Sequence, residues 1–396
     1  MIDISTVEIL LNLPTLGVRE VEVGKGHLTI HCHSVLEDGI CPNCLKKTKK
    51  CNQTDTREVR DLPIAGKKVT LELTTRQFHC QDCSRYFYER FPFVDNSKTM
   101  TTRYEKYLYE CCRDSTIERV CVQEDVVWGS VQAIVTKFSV KETAFLKDYQ
   151  PKRIGIDEFA VKKGHNDFAV TIIDLDKGYA LDVLDFRTKA ELIAYFKEKG
   201  EVYCAAIEVF SCDFWEGFIN TAKEVFPNAA IVPDRFHLFK MIHDVLDKER
   251  KKLRKAFKDE QSYKSIKWLL FKAWEKLTLE QRTFLLKAFR KAPVLRSLYF
   301  LKNELRNIFE KDMTKDDAKT HLLTWIKEAQ KLKHNGLNGF LKTVNKHFDY
   351  ILNFFTYRIS NGIVEGINNV IKAIKRQGFG FRNFQNFKLK IQLKFI

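Results

Sequence analysis

The sequence predicts a multidomain α+β protein, and three observations carry that prediction. The chain has 396 residues, too many for one small core, so several domains are expected. Residues 1–95 alternate apolar and polar positions between glycine turns, as strands do. From Pro151 onward, three more strand patterns give way to alternating helix and strand, and then to a long charged helical stretch.

Residues 1–95 form the expected β-rich domain. "VREVEVGKGHLTIHCHS" is a hairpin turning at Gly24-Lys25-Gly26, and "KKVTLELTTRQFHC" alternates as a strand. The same region holds Cys41-Pro-Asn-Cys44 and Cys80-Gln-Asp-Cys83. Two such pairs, about 35 residues apart, can place four thiolates around one tetrahedral Zn2+. Two pairs of structural thiols without metal are the plainer alternative, but paired CxxC in a cytosolic chain has few other uses. The N-terminus lacks a basic segment followed by a long apolar run, and no stretch approaches about 18 uncharged apolar residues. A cytosolic protein without a membrane span is expected, where disulfides are rare. Its eleven cysteines then read as metal ligands or buried thiols, with Cys32 and Cys51 outside the zinc scheme.

Residues 96–150 change character. "TTRYEKYLYECC", "STIERVCVQEDV" and "WGSVQAIVTKF" fit three helices, the size and rhythm of a helix-turn-helix domain. Its last helix would offer Ser130, Gln132 and Lys137 to a DNA groove. An ordinary three-helix linker is the bland reading.

Residues 151–238 read as an α/β unit. "RIGIDEFAV", "DFAVTIIDLD" and "YALDVLDF" are strands, the last two joined at Asp176-Lys177-Gly178. A helix at 189–199, the strand "CAAIEVFS", the helix "WEGFINTAKEVF" and the strand "AAIVP" follow. Three antiparallel strands, then alternating helix and strand, is the layout of a ribonuclease H-like core. Residues 239–345 are almost wholly helical, with Phe239, Ile242, Leu246, Leu253 and Phe257 at helical spacing, and read as an α-helical insertion. Residues 346–396 return to the core as its C-terminal helical part.

Lysine and arginine outnumber aspartate and glutamate by 67 to 51, a net charge of +16. That excess favours a polyanionic partner over a neutral small molecule. The closing segment "SNGIVEGINNVIKAIKRQGFGFRNFQNF" carries a single acid, Glu365, among basic residues. Ile359, Ile363, Ile367, Val370, Ile371 and Ile374 form an apolar stripe. At about 100° per residue, Glu365 falls opposite it with Asn361, Asn369, Lys372 and Arg376. An exposed glutamate is usually only solvated, but two upstream acids give this one partners. Asp157 ends or interrupts the first core strand, and Asp213 follows the fourth. In a ribonuclease H-like sheet those strands are neighbours, so Asp157, Asp213 and Glu365 could hold two Mg2+ ions. Hard divalent ions take oxygen ligands, hence carboxylates and not cysteines.

The paired cysteines, "GIDEFA", "CDFWEGFINTAKEVFPNAAIVPDRFHLFK" and "SNGIVEGINNVIKAIKRQGFGFRNFQNFKLKI" together resemble the DDE transposases of bacterial insertion sequences, most closely the ISL-three family. The resemblance spans nearly the whole chain in order. It implies a zinc ribbon, a helix-turn-helix, and a ribonuclease H-like core split by an α-helical insertion. It also implies DNA cleavage and strand transfer at the element's inverted ends, with Mg2+ or Mn2+ as cofactor. Asp157 and Glu365 carry over directly. The middle acid is Asp213 or Asp234; Asp213 is favoured, with Asp234 and His237 matching a second, Cys/Asp-x-x-His motif as supporting active-site residues. Lys372, Lys375, Arg376 and Arg382 would hold phosphates of the transposon ends and target, both double-stranded. Pairing two ends implies a homodimer or larger assembly, acting in the bacterial cytoplasm on the nucleoid. A non-catalytic DNA-binding regulator and a host nuclease are the competing readings.

Overall fold

A computed structural model of the protein describes residues 3–162, 167–252, 260–359, 362–378 and 383–395. The chain divides into two compact units, Met1–Ala144 and Phe145–Ile396.

The first unit opens with helix α1 (Ile4–Leu11), followed by the hairpin β1 (Leu16–Val23) and β2 (His27–Ser34). Gly26 at its turn takes a φ of 82°, a conformation that costs glycine little. Short strands β3 (Gly39–Ile40) and β4 (Lys47–Thr48) pair with each other. A longer hairpin, β5 (Cys51–Ile64) and β6 (Lys67–His79), turns on Ala65 and Gly66, both at positive φ, as a two-residue type I′ turn requires. Strand β7 (Tyr86–Tyr88) pairs with β6, and the main sheet runs β1-β2-β6-β5. Every second residue of β6, Val69, Leu71 and Leu73, is buried against Ile30, Val59 and the α1 residues Val7 and Leu11. The sequence reading did not single out β5. Its first six residues are exposed throughout, so the alternation that marks a half-buried strand is missing there.

Three helices complete this unit: α2 (Thr102–Asp114), α3 (Ile117–Glu124) and α4 (Trp128–Thr143). They coincide with the three helical segments expected from sequence. Thr101 and Thr116 cap α2 and α3, accepting the N–H groups of Tyr104 and Arg119. The buried Asp61 of β5 accepts from Thr101 Oγ1 at 2.7 Å and from Arg103 Nε at 2.8 Å. Arg103 also donates to the Leu11 carbonyl at 2.5 Å, so one guanidinium ties α2 to both the sheet and α1. Breaking that pair strands a buried carboxylate. Arg103→Ala is therefore expected to destabilise this unit by about 3 kcal/mol, read as a lower urea midpoint with an unchanged slope.

The second unit holds β8 (Arg153–Lys162), β9 (Asp167–Asp174), β10 (Ala180–Leu184), α5 (Lys189–Glu198), α6 (Glu201–Ala206), β11 (Val209–Cys212), α7 (Glu216–Val225) and β12 (Ala230–Pro233). Its sheet runs β10-β9-β8-β11-β12. The β8/β9 and β9/β10 pairs are antiparallel, and β8/β11 and β11/β12 are parallel. The β9–β10 turn is fastened by Asp174, whose Oδ1 accepts from the N–H groups of Asp176 and Lys177 at 2.6 and 2.8 Å.

Helices α8 (Arg235–Lys252), α9 (Glu260–Phe271), α10 (Leu279–Lys291), α11 (Pro293–Glu310), α12 (Lys315–Lys331), α13 (Asn335–Lys346) and α14 (Phe348–Tyr357) follow. They share one apolar core that also takes in Val209 and Val232 of the sheet. Ile242 and Leu246 are buried there as their spacing predicts, while Leu253 and Phe257 lie outside the described residues. Asn353 of α14 donates to the Ile231 carbonyl at 2.9 Å, fastening the bundle to β12. Two last helices, α15 (Gly362–Gln377) and α16 (Phe384–Lys394), cover one face of the sheet, while α5 and α7 cover the other. Among the described residues, no helix is long and apolar enough to cross a membrane.

Candidate active site and metal centre

Strand alternation and register gather the upstream acids. Along β8, Ile154 and Ile156 pack towards α5 and α7, whereas Gly155, Asp157 and Phe159 face α15 and α16. Ser211 of β11 pairs with Gly155, and continuing that register by two residues sets Asp213 beside Asp157. Cys212 pairs with Pro233, so one further residue sets Asp234 beside Asp213. Neighbouring strands lie about 4.8 Å apart, so the three aspartates form a row across three parallel strands. Ligands of open α/β sheets bind at such carboxyl ends. Asp157 does not end its strand, as the sequence reading expected, because β8 continues to Lys162 through its pairing with β9.

Asp213 and Asp234 each start a turn. Asp213 Oδ1 accepts the Trp215 N–H at 2.9 Å, and Asp234 Oδ1 accepts the Phe236 N–H at 2.9 Å. Asp234 thus leads directly into α8, and its Oδ2 lies 3.8 Å from His237 Nε2. Burial pushes the Asp157 carboxyl up to about 6; the Glu158 N–H and His237 pull against this, while Asp213 and Asp234 add to it. Burial raises Asp213 as well. Burial, more than mutual repulsion, therefore makes charge on Asp157 and Asp213 costly. Glu158 points to the other face, where it pairs with Arg187 at 2.9 Å.

Helix α15 packs on β8 and meets the row at Asp157. Its buried residues are Val364, Ile367, Asn368, Ile371 and Ile374. The stripe is thus turned from the one read in the sequence: Ile359 precedes the helix, Ile363 is exposed and Val370 is half-buried. Gly155 explains the shift. A Cβ there would stand 2.8 Å from Val364 Cγ2 and 2.8 Å from Leu175 Cδ2, so the bare backbone is what admits Val364. Gly155→Ala is expected to cost about 1–3 kcal/mol through overpacking, seen as a lower melting temperature.

Asn368 is the site residue that the sequence reading missed. Its Nδ2 donates to Asp157 Oδ2 at 2.6 Å, and its Oδ1 accepts from Thr171 Oγ1 at 3.3 Å. The available signal was a polar residue at helical spacing between Val364 and Ile371. Glu365, one turn earlier, is exposed and makes no hydrogen bond or ion pair with the described residues. Ile367, Ile371 and Ile374 pack with Phe387 and Ile391 of α16, so Glu365, Lys372 and Arg376 occupy the other flank.

The remaining candidates are scattered. Lys372 and Arg376 are exposed, Lys375 Nζ donates to the Ala160 carbonyl at 2.8 Å, and Arg382 lies outside the described residues. In the first unit, Ser130 is exposed in the first turn of α4. Gln132 Nε2 donates to Thr136 Oγ1 at 3.3 Å, and Lys137 Nζ is held by Glu105 at 2.6 Å.

The four paired cysteines converge. Their Sγ atoms all lie within 4.8 Å of one another, and among the described residues they are the one group of three or more Cys, His, Asp or Glu side chains gathered closely enough to hold a metal ion. Cys41 and Cys83 are 3.5 Å apart, as are Cys44 and Cys80. Bonds of about 2.3 Å to a tetrahedral zinc give sulfur separations of about 3.8 Å, so the cluster fits that ion closely. The N–H groups of Cys44 and Asn43 bring the Cys41 thiol down to about 6, whereas burial and the neighbouring thiols push Cys44 up to about 12, the split expected where like charges share one site.

Known proteins share these features. Residues 37–83 match a family profile described as "zinc-finger of transposase IS204/IS1001/IS1096/IS1165", which supports Zn2+ at the four cysteines. Residues 154–391 match one described as "Transposase". The chain is 26% identical over 409 residues to the "Transposase for insertion sequence element IS1001" of Bordetella parapertussis, covering 100% of this chain and 99% of that one. It is also 26% identical over 295 residues to the "Transposase for insertion sequence element IS1557" of Mycobacterium tuberculosis, covering 67% and 65% of the two chains. With a transposase profile over more than half its length and a likeness to a transposase from end to end, the chain belongs to the ISL-three family of DDE transposases.

Proposed function

We propose that this transposase binds the inverted ends of an insertion sequence and cuts and joins DNA there, using a divalent cation held by Asp157, Asp213 and Glu365. The observation that carries the proposal is the register that sets Asp157, Asp213 and Asp234 in a row, with α15, the helix that bears Glu365, bonded to Asp157 through Asn368. Strand β11 lies between β8 and β12. Asp213 is therefore one strand from Asp157 and Asp234 two, about 10 Å across the sheet. That spacing favours Asp213 as the ligand shared with Asp157, leaving Asp234 and His237 in support.

The carboxylate oxygens suit a hard cation, and the burial that disfavours charge on Asp157 and Asp213 gives those two acids a reason to take one up. Bound there, Mg2+ or Mn2+ would stabilise charge on the attacking and leaving oxygens of an in-line displacement. A water or 3′-hydroxyl oxygen forms the new bond to phosphorus while the bond to the departing 3′ oxygen breaks, and that oxygen takes up a proton. Lys372 and Arg376, exposed on the Glu365 flank, would hold phosphates beside the acids, together with Lys375 and Arg382.

The strand order, three antiparallel members followed by two parallel ones, supports a ribonuclease H-like core made of 151–238 and 346–396. Residues 239–345 would be its α-helical insertion, 1–95 the zinc-ribbon domain and 96–150 a helix-turn-helix. In that helix-turn-helix, Ser130 stands most open to a DNA groove, and Gln132 and Lys137 would have to leave their present partners. Two ends are processed together, so a homodimer or larger assembly is proposed, working on nucleoid DNA in the bacterial cytoplasm.

The proposal is tested with purified protein, Mg2+ or Mn2+, and DNA carrying the inverted repeats that flank its gene. Wild type should nick or join those ends. Asp213→Asn should lose this activity and Asp234→Asn should retain a measurable part of it. The reverse ranking would move the shared ligand to Asp234. Binding of the ends with no cleavage under any metal would leave a DNA-binding regulator.

A further inference from the structure

The structure assigns a positioning role to Asn368: its amide fixes the Asp157 carboxylate and, through the same bond, seats α15, the helix that carries Glu365, on β8. This rests on the reading of Asp157 as a metal ligand.

Three observations support it. First, both Asp157 oxygens are engaged by the protein in fixed directions. Oδ1 accepts the Glu158 N–H at 2.8 Å and Oδ2 accepts the Asn368 amide at 2.6 Å. Each oxygen keeps a second lone pair, so the carboxylate is oriented without being used up. Second, the amide is itself oriented. Its Oδ1 faces the Thr171 hydroxyl at 3.3 Å, so its Nδ2 is left to face Asp157. Thr171 sits on β9 opposite Asp157 in the sheet register, and its Oγ1 also lies 3.4 Å from the Asp157 carbonyl. Third, Asn368 is buried among apolar residues of its helix. A polar side chain costs stability there unless fully bonded, and an apolar residue would pack against β8 without that demand.

The mechanical consequence follows from spacing. Val364 seats on Gly155 and Asn368 on Asp157, so two successive turns of α15 are pinned to β8. Glu365 lies in the turn between them. A slip of the helix along the strand would break the Asn368 bond and carry Glu365 with it.

The test uses the full-length protein with Asn368→Ala, Thr171→Val and Thr171→Ser. Two readouts do not depend on turnover: Mn2+ affinity without DNA, followed by electron paramagnetic resonance, and affinity for inverted-repeat DNA without metal. Outer partners of metal ligands typically contribute about 10–100-fold in metal affinity or activity. Asn368→Ala is expected to weaken Mn2+ binding by about that factor, with DNA affinity within about twofold of wild type, a bound set by the salt-linked phosphate contacts it leaves intact. Thr171→Val should fall in the same direction, and Thr171→Ser, which restores the hydroxyl, should recover wild-type binding. Should Asn368→Ala fail to fold, the Thr171 pair decides alone. Unchanged Mn2+ affinity in folded Asn368→Ala, or in Thr171→Val, would overturn the positioning role while Asp157→Ala remained inactive. Cleavage surviving in Asp157→Ala would overturn the underlying reading and this inference with it.

Discussion

Replacing Asp157 by alanine is expected to lower strand cleavage at the inverted ends by about 10³-fold or more, equivalent to about 4 kcal/mol of transition-state stabilisation. DNA affinity should hold or rise, because a negative charge is removed from a surface that faces phosphates. That opposition of signs separates loss of chemistry from loss of fold. Asp157→Asn sharpens it further. The folded carboxyl titrates near 6, above its ordinary value, because burial disfavours the charge. A raised carboxyl costs nothing below its unfolded pKa, and the cost grows as pH rises through the folded value. The neutral amide removes that cost but gives up one of the two hydrogen bonds the carboxylate accepts, so any deficit of metal-free Asp157→Asn against wild type should be smaller at pH 7.5 than at pH 4.5. Millimolar Mg2+ should raise the melting temperature of wild type and leave the variant unmoved, since only a binder of the native state stabilises it. A variant that cleaves within tenfold of wild type would remove Asp157 from the site.

The sequence marks some of these residues and hides others, for reasons that differ by residue. The cysteines were legible because metal geometry demands a spacing that packing does not. Asp157 and Asp213 stand out because one is an acid inside an apolar strand pattern and the other follows one directly. Asn368 does not. It sits at helical spacing with isoleucines, and only the opposing strand shows that a carboxylate waits beneath it. Gly155 was equally silent. Its lack of a side chain matters because Val364, more than two hundred residues later, needs the room. That contact turned the apolar stripe away from Ile363, a rotation helix periodicity cannot choose when isoleucine and valine flank the same face. Periodicity indicates that a helix has a buried side, but the partner surface sets which residues fill it. The exposed half of β5 was hidden for a related reason, since a strand without a buried face leaves no pattern of period two.

Loss of the zinc site should show how far the first unit depends on it. Cys41→Ser or Cys80→Ser is expected to abolish stoichiometric zinc in elemental analysis, whereas Cys51→Ser, at an exposed thiol outside the cluster, should retain it. Structural zinc in small domains contributes on the order of 10 kcal/mol of folding free energy, so the ribbon cannot be expected to persist without it. The unfolding should nevertheless be local. The knuckles meet the rest of the unit at a ring packed close to a backbone: a Cβ on Gly39 would stand only 2.4 Å from Phe78. The main core, by contrast, is built from Ile30, Val59, Leu71 and Leu73 without any zinc ligand. Hydrogen exchange after chelation should therefore accelerate at β3, β4 and β7 while β1, β2 and the adjoining part of β6 keep their protection. Collapse of the whole unit would mean that the β5–β6 hairpin, whose outer half has no apolar face of its own, transmits the loss inward. If chelation left β3, β4 and β7 protected, the cysteine cluster would be holding its shape through sulfur packing alone, and its reading as a zinc site would fail.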